Sequence, residues 1–130
     1  MSYGDAVQRF MTPSAVDLSG TGGVTAFTWK LPADLSICLQ RLSAICVEAV
    51  AANGGQGVMS VEVDGTEIGT IQPAASAVAG QEVMGTFATA TKRGDEIAGG
   101  STIEFILKTQ GTGAGTAHMV LHYQEVQKGA

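Results

Sequence analysis

Cysteine, proline, aromatic residues and charge are all scarce in this chain of 130 residues, which has two Cys, three Pro, one Trp, two Tyr and four Phe, with 15% charged positions. Each scarcity excludes something. A chain this long buries a core without covalent staples, so two cysteines make no disulfide framework and the expectation is one domain. The seven Lys and Arg, in a chain of net charge −5, never gather into a patch able to neutralise phosphates, so nucleic acid is not an expected partner. No stretch of about 18 uninterrupted apolar residues occurs, and Met1-Ser2-Tyr3-Gly4-Asp5 lacks the basic start and apolar run of a secretory signal. The expectation is a protein without a membrane partner, working where it is made or in a particle assembled there.

Glycine is what the chain has in excess: 18 of 130 positions, against an average share of about 7%. Turns should therefore be frequent. Residues 1–23 contain Pro13, the run Ser19-Gly20-Thr21-Gly22-Gly23 and scattered apolar residues without a helical or strand period. They read as an extended N-terminal arm. Tyr3, Val7, Phe10, Met11, Val16 and Leu18 give this segment more apolar character than a solvated tail keeps, which makes them the candidate partner-binding residues.

From Val24 the pattern alternates, with Phe27, Trp29 and Leu31 on one face until Pro32 stops the run. The stretch from Leu35 to Ala52 is ambiguous. Leu35, Cys38, Leu39, Leu42, Ile45, Cys46, Ala49 and Val50 fit a helical stripe that Asp34 could cap and Asn53-Gly54 could end. Against the helix, Ile37 and Val47 fall off the stripe and β-branched residues are frequent, which favours a buried strand over Leu42 to Ala51. Beyond the turn Asn53 to Gly57, the runs Val58 to Val63 and Thr66 to Ile71 flank Asp64-Gly65, the pair that a type I′ hairpin turn requires. Further strands are expected over Glu82–Thr91, Glu96–Ala98, Thr102–Lys108 and Thr116–Val126, the last with Ala117, Met119, Leu121 and Tyr123 inward and His118, Val120, His122 and Gln124 outward. Seven or eight strands with turns every 8 to 12 residues or so leave no room for βαβ crossovers. The expected architecture is all-β: an antiparallel β-sandwich, jelly-roll-like, formed by residues 24–130 and preceded by the arm, residues 1–23.

Chemistry is sparse along this pattern. Cys38 and Cys46, eight positions apart on an extended chain, stand about 26 Å apart and cannot be bridged, so they read as buried free thiols. His118 and His122 share a strand face at about 13 Å, too far for one metal ion. Arg93-Gly94-Asp95 is the tripeptide known from integrin ligands, but Gly and Asp are also ordinary turn residues, and an Asp95 carboxylate bonded across its own loop would make the motif structural. The glycine runs at Gly20–Gly23 and Gly111–Gly115 lack the Gly-Lys-Ser/Thr ending of a phosphate loop, and no Gly-x-Ser-x-Gly elbow occurs. No catalytic residue, no metal site and no cofactor is expected.

The order of features from Trp29 onward resembles that of the β-sandwich virion proteins of tailed bacteriophages, the group of capsid decoration (cement) proteins, head fibres and tail-fibre modules. The pieces that carry the likeness are the Ala/Val strand Ile45 to Ala52, the V-x-V-x-G-T-x-I hairpin within Val61 to Ile71, and the Thr/Ala strand Phe87 to Thr91. The G-D-x-I turn Gly94 to Ile97 and the closing strand Ala117 to Tyr123 complete it. They span about three quarters of the chain, and Leu35 to Arg41 departs from the pattern by being more apolar than a connecting loop. The resemblance implies a structural protein of the virion surface, made in the host cytoplasm, with no catalytic residues. Its implied partners are the major capsid protein or other virion proteins and further copies of itself, as a homotrimer. The leading expectation is a decoration protein that stabilises a phage head. The competing ones are a receptor-binding or fibre module using loops such as Gln72 to Gly80, and an enzyme whose site is assembled at a subunit interface.

Overall fold

A computed structural model of the chain describes residues 2–3, 6–48, 57–73, 77–112 and 115–127. Among them are twelve strands and no helix: β1 (Ser2–Tyr3), β2 (Gln8–Met11), β3 (Val16–Asp17), β4 (Val24–Lys30), β5 (Ser36–Glu48), β6 (Val58–Val63), β7 (Thr66–Ile71), β8 (Glu82–Met84), β9 (Thr86–Phe87), β10 (Glu96–Ile97), β11 (Thr102–Thr109) and β12 (Thr116–Gln127). All pairings are antiparallel. In the first sheet β12 lies between β5 and a lane made of β1, β2 and β3, while β8 and β10 share the lane on the far side of β5. The second sheet runs β4, β11, β6, β7, β9.

Taking each lane as one strand, the chain visits the sheets in the order of a jelly roll. The first, eighth, third and sixth strands lie side by side, facing the second, seventh, fourth and fifth. The fold is therefore an all-β sandwich, as the strand spacing implies. Its core lies between the sheets, where Ile37, Leu39, Leu42, Ala44, Cys46, Met119 and Leu121 of the first meet Met59, Val61, Ile71, Ile103, Phe105 and Leu107 of the second.

The N-terminal segment is not an arm standing apart from this sandwich. β2 pairs with Val120 to Tyr123 and β3 with Thr116 and Ala117, so β2 and β3, with β1, supply the first lane of the roll. Val16 and Leu18 are buried in the core, and Phe10 turns inward to stack on Trp29, with ring centroids 4.1 Å apart and planes 8° apart. Phe10 also stacks on Phe27 and Phe105, and Trp29 meets Tyr123, so the segment closes one side of the sandwich with an aromatic cluster. The alternation is not legible in the sequence because an edge lane broken into pieces of two to four residues is too short for a period of two to show.

The ambiguous stretch is one strand from Ser36 to Glu48, longer at its start than the expected Leu42 to Ala51; Ala49 to Ala51 lie outside the described residues. Its helix-like spacing has a simple cause. The register of β5 against β12 shifts between Leu39 and Arg41, so Gln40 is the extra residue of a bulge, and the inward positions run Ile37, Leu39, then Leu42, Ala44, Cys46. A step of three in the middle of a period of two imitates a helical stripe. The departure of Leu35 to Arg41 from the virion-protein pattern has the same source, since most of that segment is buried strand rather than loop.

The hairpin over β6 and β7 forms as expected, with φ of 49° at Asp64 and 84° at Gly65. The expected strand Glu82 to Thr91 is divided: β8 pairs with β5 in the first sheet and β9 with β7 in the second. Gly85 is the crossing point. A Cβ there would stand 2.7 Å from Ile71 Cγ1 and 2.9 Å from the Thr70 carbonyl oxygen, so only glycine lets the chain pass between the layers.

Candidate functional site

The outer face of the first sheet collects the three arginines and both histidines of the chain. Phe10, Leu121 and Leu42 point into the core, so their neighbours Arg9, His122 and Arg41 point out, and the register sets these three side by side across β2, β12 and β5. One step along, Met11, Val120, Ser43 and Met84 form a second row, and beyond it His118, Ile45 and Glu82 a third. Arg93, from the turn before β10, reaches the same face and donates from Nε to Gln40 Oε1 at 2.9 Å. All three arginines of the chain thus converge here. A depression of about 410 Å³ is lined by Val7, Gln40, Arg41, Arg93 and His122.

At its edge lies a buried polar cluster. Ser43, fully buried, donates its hydroxyl proton to Glu82 Oε2 at 2.8 Å and therefore accepts from His122 Nε2 at 2.9 Å, which places the imidazole proton on Nε2. Arg41 stands 3.9 Å from the other Glu82 oxygen. Burial, followed by the nearby Arg41 and Arg9 cations, holds the His122 pKa below its ordinary 6.5 against the opposing pull of Glu82. The Ser43 hydrogen bond, with Arg41 and His122, holds Glu82 below its ordinary 4.5. These three residues do not form a nucleophile relay. The carboxylate sits on the same ring nitrogen as the serine and takes the hydroxyl proton itself, so the imidazole cannot act as the base for Ser43. Sequence reasoning missed the cluster because its members come from β5, β8 and β12, and only the pairing register brings them together.

The residues singled out from the sequence are scattered by the fold. Val7 and Met11 are about half exposed on the outer face of the first sheet, whereas Phe10, Val16 and Leu18 are structural. Tyr3 lies in β1 opposite Val126, and its side chain is outside the described residues. His118 and His122 do face outward together, but they are engaged separately: His118 Nδ1 donates to the Thr12 carbonyl at 2.7 Å. Cys38 and Cys46 are free and buried; Cys38 Sγ donates to the Gly94 carbonyl, and burial pushes the Cys46 thiol up. Asp95 Oδ2 accepts the Lys92 amide at 3.0 Å across its own loop, and Arg93 is held by Gln40, so the Arg-Gly-Asp turn has structural work at both ends. In the loop Gln72 to Gly80, Pro73 and Ala77 are buried, while residues 74–76 lie outside the described residues. No group of three metal-ligating side chains occurs among the described residues. No helix long and apolar enough to cross a membrane occurs among the described residues.

No family model matches the chain, and no curated protein matches it. Among solved structures, it is similar to a chain of the infectious bursal disease virus VP2 subviral particle, with 11% identity and a TM-score of 0.31 over 95% of this chain and 42% of that one. It is similar also to a chain of the T=1 particles derived from infectious bursal virus, with 12% identity and a TM-score of 0.30 over 95% and 41%. The chain thus spans less than half the length of either.

Proposed function

We propose that this chain is a structural virion protein, a capsid decoration protein that binds and stabilises a phage head through the major capsid protein or other virion proteins. The observation that carries the reading is the outer face of the first sheet. It displays Val7, Met11 and Met84, each about half exposed, beside three arginines. Its Ser, His and Glu side chains are spent on one another rather than offered to a substrate. Apolar side chains ringed by arginine are the composition of a protein-binding patch. The order of hairpins and turns resembling tailed-phage virion proteins gives the reading its biological setting. The virion surface is then the location, after synthesis in the host cytoplasm, and the protein works as a homotrimer, without enzymatic activity, cofactor or metal, and apart from nucleic acid and membrane.

Imaging of intact particles with antibody fragments against this chain tests the reading. Regularly spaced labels over the head support it. Label at the tail tip alone would replace it with the receptor-binding fibre module, and absence from particles would end it. Light scattering tests the trimer separately.

A further inference from the structure

We propose that copies of this chain associate head to tail, with the outer face of the first sheet in one copy seated on the outer face of the second sheet in the next. This rests on the self-association part of the function proposed above and names the surfaces that perform it. It does not depend on the phage setting.

The second sheet carries a row that mirrors the arginine row. Ile103, Phe105 and Val61 point into the core, so Glu104 and Glu62 point outward, and the register sets Glu104, Glu62 and Glu67 side by side across β11, β6 and β7. Like charges directly opposite one another repel. Glu67 is relieved by Lys108 at 2.8 Å and Glu104 accepts from Thr25 Oγ1 at 3.0 Å, but Glu62, at the centre, has no ion-pair partner among the described residues. On the first sheet Arg9 likewise has none among them.

Both rows cross three adjacent strands. At about 4.8 Å per strand, each sets its outer members roughly 10 Å apart, so Arg9 and Arg41, on either side of the buried, neutral His122, match Glu104 and Glu67 in spacing as well as sign. The rows beside them also correspond. Met11 and Met84, with Val120 and Ser43 buried between them, flank the arginines, and Thr25, Ile106 and Thr70, with Ser60 buried among them, flank the glutamates, apolar or small side chains in both cases. This double match within one chain is what selects a second copy as the occupant. The two faces lie on opposite sides of the sandwich, so the contact is heterologous, joins unlike patches and leaves the first-sheet face of one end copy free for another partner.

Sedimentation and light scattering of the full chain test this with two charge-reversed proteins, Arg9→Glu/Arg41→Glu and Glu62→Arg/Glu104→Arg. The wild type is expected to associate at low salt, and its dissociation constant to rise at least about tenfold near 1 M salt, where charges more than about 3 Å apart are screened. Each reversed protein alone should run as a monomer where the wild type does not. Their equimolar mixture should associate where neither does alone, because contacts between the two variants are again between opposite charges. Arg41 also faces Glu82, so Arg9→Glu and Glu62→Arg serve as milder single variants, with far-UV circular dichroism checking the fold. A wild type that stays monomeric overturns the inference and the self-association reading together. A wild-type oligomer that neither reversal weakens overturns the inference alone, leaving association through another surface.

Discussion

Ser60 and His122 are two buried polar residues with opposite fates. The Ser60 hydroxyl has no hydrogen-bond partner among the described residues, although it is enclosed between its strand neighbours. Burying an unpaired hydroxyl costs more than the group returns, so Ser60→Ala should raise stability by about 1 kcal/mol, measured as an upward shift of the denaturation midpoint; a loss of stability would reveal a partner. His122 is paired, and its pairing depends on being neutral. Its folded pKa lies below 6.5, so below pH 6.5 the unfolded chain takes up the proton first. Stability contributed by neutral His122 is complete above that pH and declines as pH falls towards the folded value. Glu82 acts in a lower window with the same outcome: its folded pKa is below 4.5, so its contribution is present above 4.5 and lost as pH falls through the folded value. Melting curves between pH 8 and pH 4 should therefore show a first decline beginning near 6.5, and His122→Gln should abolish that first decline while keeping the second. A variant that keeps both would place the first decline elsewhere.

Among the elements, the N-terminal lane and the crossing at Gly85 decide whether the sandwich closes. Removing residues 1–23 strips β1, β2 and β3 from β12, leaves its edge unpaired and uncovers Trp29, Phe27 and Phe105. The truncated chain should fail to fold or should aggregate, read by loss of the far-UV β spectrum and of amide dispersion in NMR. A truncated chain that melts within a few degrees of the full one would restore the arm. Phe10→Ala is the milder version and should cost about 3 kcal/mol, near the lower end for aromatic truncation because the ring is only partly buried. Gly85→Ala forces a methyl group against Ile71 and the Thr70 carbonyl and should cost about 1–3 kcal/mol through strain, whereas alanine at the exposed loop position Gln81 loses only the exposed hydrogen bond from the Val78 amide and should cost less.

Across the whole molecule, one outer face concentrates arginine and the other glutamate, while the charge of the chain as a whole is −5. Raising salt should accordingly weaken association more than folding: the mass should fall while the melting temperature, set by the apolar core between the sheets, changes by only a few degrees. A melting temperature that tracks the mass would show instead that folding and assembly are inseparable.

Residue order alone made the β class legible. Alternation in Thr102 to Lys108 and Thr116 to Val126, and the positive-φ pair Asp64-Gly65, are local signals that a neighbouring strand only confirms. The inward set Ala117, Met119, Leu121 and Tyr123 was readable in the same way, since side-chain direction along a strand follows from position. Tertiary structure decided whatever depends on a partner strand. The bulge at Gln40 turns a period of two into an apparent helix, and nothing in β5 itself marks it. The short pieces of residues 1–23 become a lane only where β12 offers hydrogen bonds, and Gly85 becomes a crossing only because two sheets lie on either side of it. The candidate face follows the same rule. Arg9, Arg41 and His122 are far apart in the chain, and register, which is a relation between strands and not a property of any one of them, sets them in a single row.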